Sequence, residues 1–127
     1  MILEHIALYV EDLEKMRDFY MRFFHATAND KYHNPRTGLQ TYFLSFEGGA
    51  RLEIMQRPVM SPHASGEYPL GYAHISFKLG SIEKVDQLTT VLQESGHPLL
   101  NGPRITGDGY YESVFSDPEG NLIELVA

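Results

Sequence analysis

The residues able to do chemistry in this sequence are two histidines and two glutamates: His5, Glu53, His74 and Glu124. Imidazole nitrogens together with carboxylate oxygens suit Zn, Ni, Co, Fe or Mn, whereas Ca and Mg favour all-oxygen shells. Two of each fill four positions around one divalent ion. The remaining positions of an octahedral ion would stay open to water or substrate oxygens, which is what metal catalysis needs. Taken singly, a His or Glu on a strand is most often solvated or hydrogen-bonded. Their joint placement is what raises the expectation of a shared site. His5 opens His5-Ile6-Ala7-Leu8-Tyr9-Val10 and His74 opens His74-Ile75-Ser76-Phe77-Lys78-Leu79. Glu53 stands between Leu52 and Ile54, and Glu124 between Ile123 and Leu125, where a buried carboxylate would need a partner.

The elements that must position these residues form an internal repeat. The two His-led segments lie 69 positions apart, and the same offset relates Asp12 to Ser81, Leu13 to Ile82, Glu14 to Glu83, Met16 to Val85, Phe19 to Leu88 and Phe23 to Leu92. Each copy begins with a strand of alternating residues, Ile6, Leu8 and Val10 opposing His5, Ala7 and Tyr9 in the first. A helix follows, with Asp12 or Ser81 as N-cap and an acidic residue in the first turn. Its apolar stripe is Leu13, Met16, Phe19, Tyr20, Phe23 and Phe24 in the first copy and Ile82, Val85, Leu88, Val91 and Leu92 in the second. These stripes read as core. Gly96 is placed to stop the second helix.

Three strands complete each copy: near 27–32, 40–46 and 50–55 in the first, and near 99–105, 111–116 and 121–126 in the second. Gly48-Gly49 is a hairpin turn, and Asp117-Pro118-Glu119-Gly120 a tight turn. The expected class is α+β: two β-α-β-β-β modules whose curved mixed sheets enclose a metal-binding cavity. The whole chain, 1–127, is expected to be a single domain, with module one at 1–56, a Pro-, Ser- and Gly-rich linker at 57–71 and module two at 72–127. Glu53 and Glu124 fall in near-equivalent strands, so pairing of the modules, within a chain or across a dimer, could bring all four ligands together.

With 127 residues, 43% hydrophobic and 21% charged, the composition is that of one folded domain. The formal net charge of -7 and the lack of any basic run argue against nucleic acid. No window is apolar enough for a membrane span, and no signal peptide is visible, so the cytoplasm is the expected location. The absence of Cys excludes disulfides, thiolate ligands and Cys nucleophiles. His25, His33, His63 and His97 fall at a helix end, in loops or in the linker and read as surface residues, with His33 able to reach a pocket mouth. The glycine pairs are turns, not phosphate cradles, because neither joins a strand to a helix N-terminus.

Four stretches together resemble the vicinal oxygen chelate superfamily over essentially the full length: Leu3-Glu4-His5-Ile6, Leu52-Glu53-Ile54, the segment from Gly71 to Phe77, and the closing run from Phe115 to Leu125. Within that superfamily the order His, Glu, His, Glu is similar to glyoxalase I (lactoylglutathione lyase). The resemblance implies one divalent ion per site, Ni or Zn foremost, often held at a homodimer interface with two ligands from each chain. It also implies a reaction: the hemithioacetal of a 2-oxoaldehyde such as methylglyoxal becomes a thioester by proton transfer through a metal-bound ene-diolate, a detoxifying step. Glu124 would be the base, with Glu53 able to act from the opposite side. Tyr9, Met55 and Tyr72 are the candidate substrate-binding residues, although packing would also account for each.

Other members set the alternatives. Bleomycin-resistance proteins sequester drug without metal, fosfomycin-type thiol transferases use three ligands and lack the Glu matched by Glu53, and methylmalonyl-CoA epimerase uses a comparable four-residue set. One departure bears on the thiol. Glutathione-using glyoxalases carry an Arg four residues after the first His, where this chain has Tyr9. Arg36, Arg51 and Arg104 are the cations that could take its place.

Overall fold

The repeat in the sequence is a repeat of structure in the computed structural model, which describes residues 1–63, 65–66 and 68–127. The chain divides into two units, 1–63 and 64–127. The first contains β1 (His5–Tyr9), α1 (Leu13–Phe24), β2 (Thr27–Ala28), β3 (Tyr32–His33), β4 (Gln40–Ser45) and β5 (Arg51–Gln56). The second contains β6 (His74–Lys78), α2 (Ile82–Glu94), β7 (Leu99–Ile105), β8 (Tyr111–Ser116) and β9 (Leu122–Val126). The α+β class and the mixed sheets are as expected from the sequence. Sheet one runs β1-β5-β4-β2, with β3 also on β4, and sheet two runs β6-β9-β8-β7. In each, the first and last strands pair in parallel and the other pairs are antiparallel.

Local chemistry explains the boundaries. The Asp12 side chain accepts from the Lys15 N–H at 3.0 Å, and Ser81 accepts from Lys84 at 3.3 Å, so both helices start where a cap is available. Gly96 follows α2 at φ 88°, the left-handed conformation that suits a glycine. The α1 stripe is buried as read, with Met16 and Tyr20 fully enclosed; in α2 Val85 and Leu92 are fully enclosed, Leu88 is half-buried, and Ile82 and Val91, expected in the core, are exposed at the helix surface.

Some boundaries differ from the expected ones. Instead of a single strand at 27–32, two short strands, β2 and β3, flank Asn29. The Asn29 side chain accepts from the Phe43 N–H at 2.8 Å, taking the place of a backbone carbonyl and interrupting the ladder. His33 therefore lies in a strand and not in a loop. β4 stops at Ser45, and β5 starts at Arg51. β9 starts at Leu122 because Asn121 belongs to the preceding turn: its N–H and side-chain amide both donate to Asp117, at 2.9 and 2.8 Å.

Alternation along the last strand of each module sets what faces the helix. Leu52 and Ile54 are 3% and 0% exposed, and Ile123 and Leu125 are both 0% exposed. Burying each such side chain contributes about 1.5–3 kcal/mol. A one-residue slip of β5 or β9 would bury the intervening glutamate and expose two aliphatic groups, so the register is strongly specified. That register fixes the site.

Candidate metal centre

Because Leu52 and Ile54 point to the helix, Glu53 points to the opposite, open face of sheet one. Because Ile6 and Leu8 pack inward, His5, Ala7 and Tyr9 share that open face, all exposed along β1. The parallel register sets Ala7 beside Glu53 and His5 beside Arg51. The diagonal between His5 and Glu53 is short: Nε2 to Oε2 is 3.8 Å. Sheet two repeats the arrangement, with Ser76 beside Glu124 and His74 beside Leu122. There Nε2 of His74 lies 3.2 Å from Oε2 of Glu124. Both imidazoles are about two-fifths exposed, and both carboxylates about one-fifth.

Neither glutamate has a Lys or Arg partner among the described residues; each faces only its own module's histidine. An electron-rich nitrogen and an unneutralised carboxylate side by side are a bidentate half-site for a divalent cation. The donor set therefore fits the metal that the sequence implied. Among the described residues no three His, Asp or Glu side chains of the chain gather as a complete metal site. The four candidate ligands come as two pairs, one to a unit.

The surroundings of the two pairs differ. Nδ1 of His5 contacts the Glu4 carboxylate, which also accepts from Arg51, through Nε at 2.7 Å and through Nη2. Hydrogen bonding to His5, and then to Arg51, holds the Glu4 carboxyl below its ordinary range. Phe43 packs edge-on against the His5 ring at 5.4 Å, and the Arg51 guanidinium lies over Phe43 at 4.2 Å.

Two of the three candidate substrate-binding residues are neighbours on sheet one, where Tyr9, four residues along from His5, pairs with Met55, two residues along from Glu53. Tyr72 lies in irregular chain just before β6 and is 91% exposed. Of the arginines considered in place of the glutathione-binding one, Arg51 is engaged with Glu4 and Arg104 with the nearly buried Glu112 at 3.2 Å, while the Arg36 backbone N–H donates to Asn34. The cation beside Tyr9 is instead Arg57, whose Nε donates to the Tyr9 hydroxyl at 3.2 Å. It was missed because it lies one residue past β5, in sequence that reads as linker. Lys78, the repeat mate of Tyr9, ends β6 on the His74 face, so the first strand of each module has a cation at its far end.

The chain belongs to the glyoxalase/bleomycin resistance protein/dioxygenase superfamily, whose family model matches residues 2–125. The Bacillus subtilis protein YqjT is 32% identical over 98% of each chain and is itself uncharacterized. Among solved structures, the trypanothione-dependent glyoxalase I of Leishmania major superposes with a TM-score of 0.79 at 20% identity, covering 99% of this chain and 86% of that one. A lactoylglutathione lyase from Agrobacterium tumefaciens superposes with a TM-score of 0.70 at 23% identity, covering 97% and 90%. At these identities the two structures speak to the fold. No helix among the described residues is long and apolar enough to cross a membrane.

Proposed function

We propose that the protein is a metal-dependent isomerase-type lyase of the glyoxalase I kind, acting on the hemithioacetal of a 2-oxoaldehyde and a thiol. The observation that carries this reading is the duplicated His–Glu pair, 3.8 Å apart in one module and 3.2 Å in the other, on sheet faces otherwise open. His5, Glu53, His74 and Glu124 would hold one divalent ion, Ni or Zn foremost. Bound there, the ion would supply Lewis-acid stabilisation of negative charge on two adjacent substrate oxygens.

The chain's own part is proton movement. Glu124 takes the proton from the carbon bearing sulfur and delivers it to the neighbouring carbon, with Glu53 placed to serve the opposite face. The hydroxyl proton moves to the former carbonyl oxygen. Substrate and product are isomers, so no oxidant or reductant is consumed. A carboxylate suits both strokes because it can accept a proton and return it. Tyr9, Met55 and Arg57 lie together on module one, where Arg57 would offer a charge for an anionic thiol.

The same reading carries a homodimer, with the modules pairing within a chain or across the two copies so that one ion meets both His–Glu pairs. The test is reconstitution of metal-free protein with Ni, Zn, Co, Mn and Fe, followed by assay of methylglyoxal with several thiols. Metal-dependent formation of thioester supports the reading. A protein that binds a cationic drug and is indifferent to metal would be a sequestering member of the superfamily instead.

A further inference from the structure

Among the described residues, His5 is held by partners that His74 lacks. The repeat mates of Glu4, Arg51 and Phe43 are Ala73, Leu122 and Val114, and none of these side chains can hydrogen-bond an imidazole. A neutral imidazole has one N–H donor and one bare acceptor nitrogen. With the Glu4 carboxylate against Nδ1, the proton belongs on Nδ1 and the lone pair on Nε2. The 3.8 Å gap from Nε2 to Glu53 fits that assignment, because it is too long for a hydrogen bond and leaves the lone pair uncommitted. In module two the contact is reversed. Nε2 of His74 lies 3.2 Å from Glu124 with no carboxylate against Nδ1 among the described residues, so the favoured proton position is Nε2.

Resting on the metal-site reading above, we propose that Glu4 is a positioning residue that fixes His5 in its ligating tautomer, so that module one is the preformed half of the site and module two the half that must rearrange. Arg51 completes the device by tying Glu4 to β5, the strand that bears Glu53. The Phe43 ring limits rotation of the imidazole from one side. A metal arriving at His74 has to displace the proton from Nε2 and break the contact with Glu124; at His5 it meets a nitrogen already bare.

The test has two readouts on metal-free protein. Two-bond proton–nitrogen correlation spectra of histidine-labelled protein should show His5 with its proton on Nδ1 and His74 with its proton on Nε2. Competition titration with Zn should show Glu4→Ala binding about 10–100-fold more weakly than the parent, the usual effect of removing such a hydrogen-bonded carboxylate. Glu4→Gln, whose amide oxygen still accepts from Nδ1, should retain the tautomer and most of the affinity, which separates positioning from loss of fold. An Nε2 proton on His5 in the parent, or a Glu4→Ala affinity within about twofold of it, overturns the proposal. A parent protein that binds no Zn defeats the metal-site reading instead, and the tautomer of His5 still decides the role of Glu4.

Discussion

The two modules share a backbone plan and a His–Glu pair and differ in almost everything that touches that pair. Both place a His at the head of the first strand and a Glu on the parallel last strand, between two fully buried or nearly buried aliphatic residues. Around the pair, module one adds Glu4, Arg51 and Phe43, where module two has Ala73, Leu122 and Val114. Beneath the sheets the contrast continues. In module one the Tyr42 hydroxyl meets Arg17 at 2.9 Å and Glu14 at 3.2 Å, and Lys31 pairs with Glu14. In module two the position matching Tyr42 is Ser113, which exchanges a 2.7 Å hydrogen bond with Thr89 in a fully buried setting. Strand alternation and helix packing are thus enough to duplicate the position of a His or Glu, whereas its environment is written module by module. If so, removing a ligand should be severe in either module, and removing a neighbour should matter in module one alone.

The largest expected effect is at the glutamates. Glu124→Gln should lower kcat by about 10²–10⁴, the usual contribution of a positioned base, with the circular dichroism spectrum unchanged. Glu53→Gln should be comparably severe if both modules donate to one ion. A fosfomycin-type transferase would tolerate that second change.

A mixing experiment tests whether the two half-sites meet across copies. A chain with His5→Ala and Glu53→Ala, refolded together with a chain carrying His74→Ala and Glu124→Ala, leaves one intact site in each mixed dimer. Random pairing should then recover about a quarter of parental activity from two inactive proteins. No recovery would put the pairing within one chain.

Much of this was legible because it depends on period and offset. The repeat placed both histidines at the heads of equivalent strands, alternation put both glutamates on the faces away from the helices because a strand's two faces are fixed by parity alone, and the helical period found the buried stripe of α1. What was not legible is contact between residues far apart in sequence. Nothing local announces that Glu4 reaches Arg51, or that Arg57 reaches back to Tyr9 after β5 has ended. The break at Asn29 was missed for a related reason: a side chain bonded to Phe43 replaced a ladder carbonyl, and apolar alternation does not register that exchange.

Arg57 sharpens the comparison on the substrate side. Arg57→Ala should raise KM about tenfold for a thiol bearing a carboxylate while leaving kcat, and all kinetics with 2-mercaptoethanol, near parental values, as expected for loss of one charge-assisted contact. Equal effects on charged and neutral thiols would remove Arg57 from substrate recognition.

The smallest expected effect concerns stability and belongs to module one only. Glu14 is held below its ordinary carboxylate range, chiefly by hydrogen bonding to Lys31; burial opposes this, and Tyr42 and Arg17 add lesser lowering effects. A carboxylate whose folded pKa is depressed stabilises the fold above its unfolded value, and that stability is lost as pH falls toward the folded one. The window therefore lies below about pH 4.5. Glu14 and Lys31 are both partly exposed, so solvent screening limits the pair to about 0.2–1 kcal/mol. Lys31→Met should lower Tm slightly at neutral pH and converge with the parent as the solution is acidified. A difference that persists unchanged through the acid range would assign the effect to Lys31 packing over the Tyr42 ring, 5.6 Å from its ammonium, and not to the ion pair.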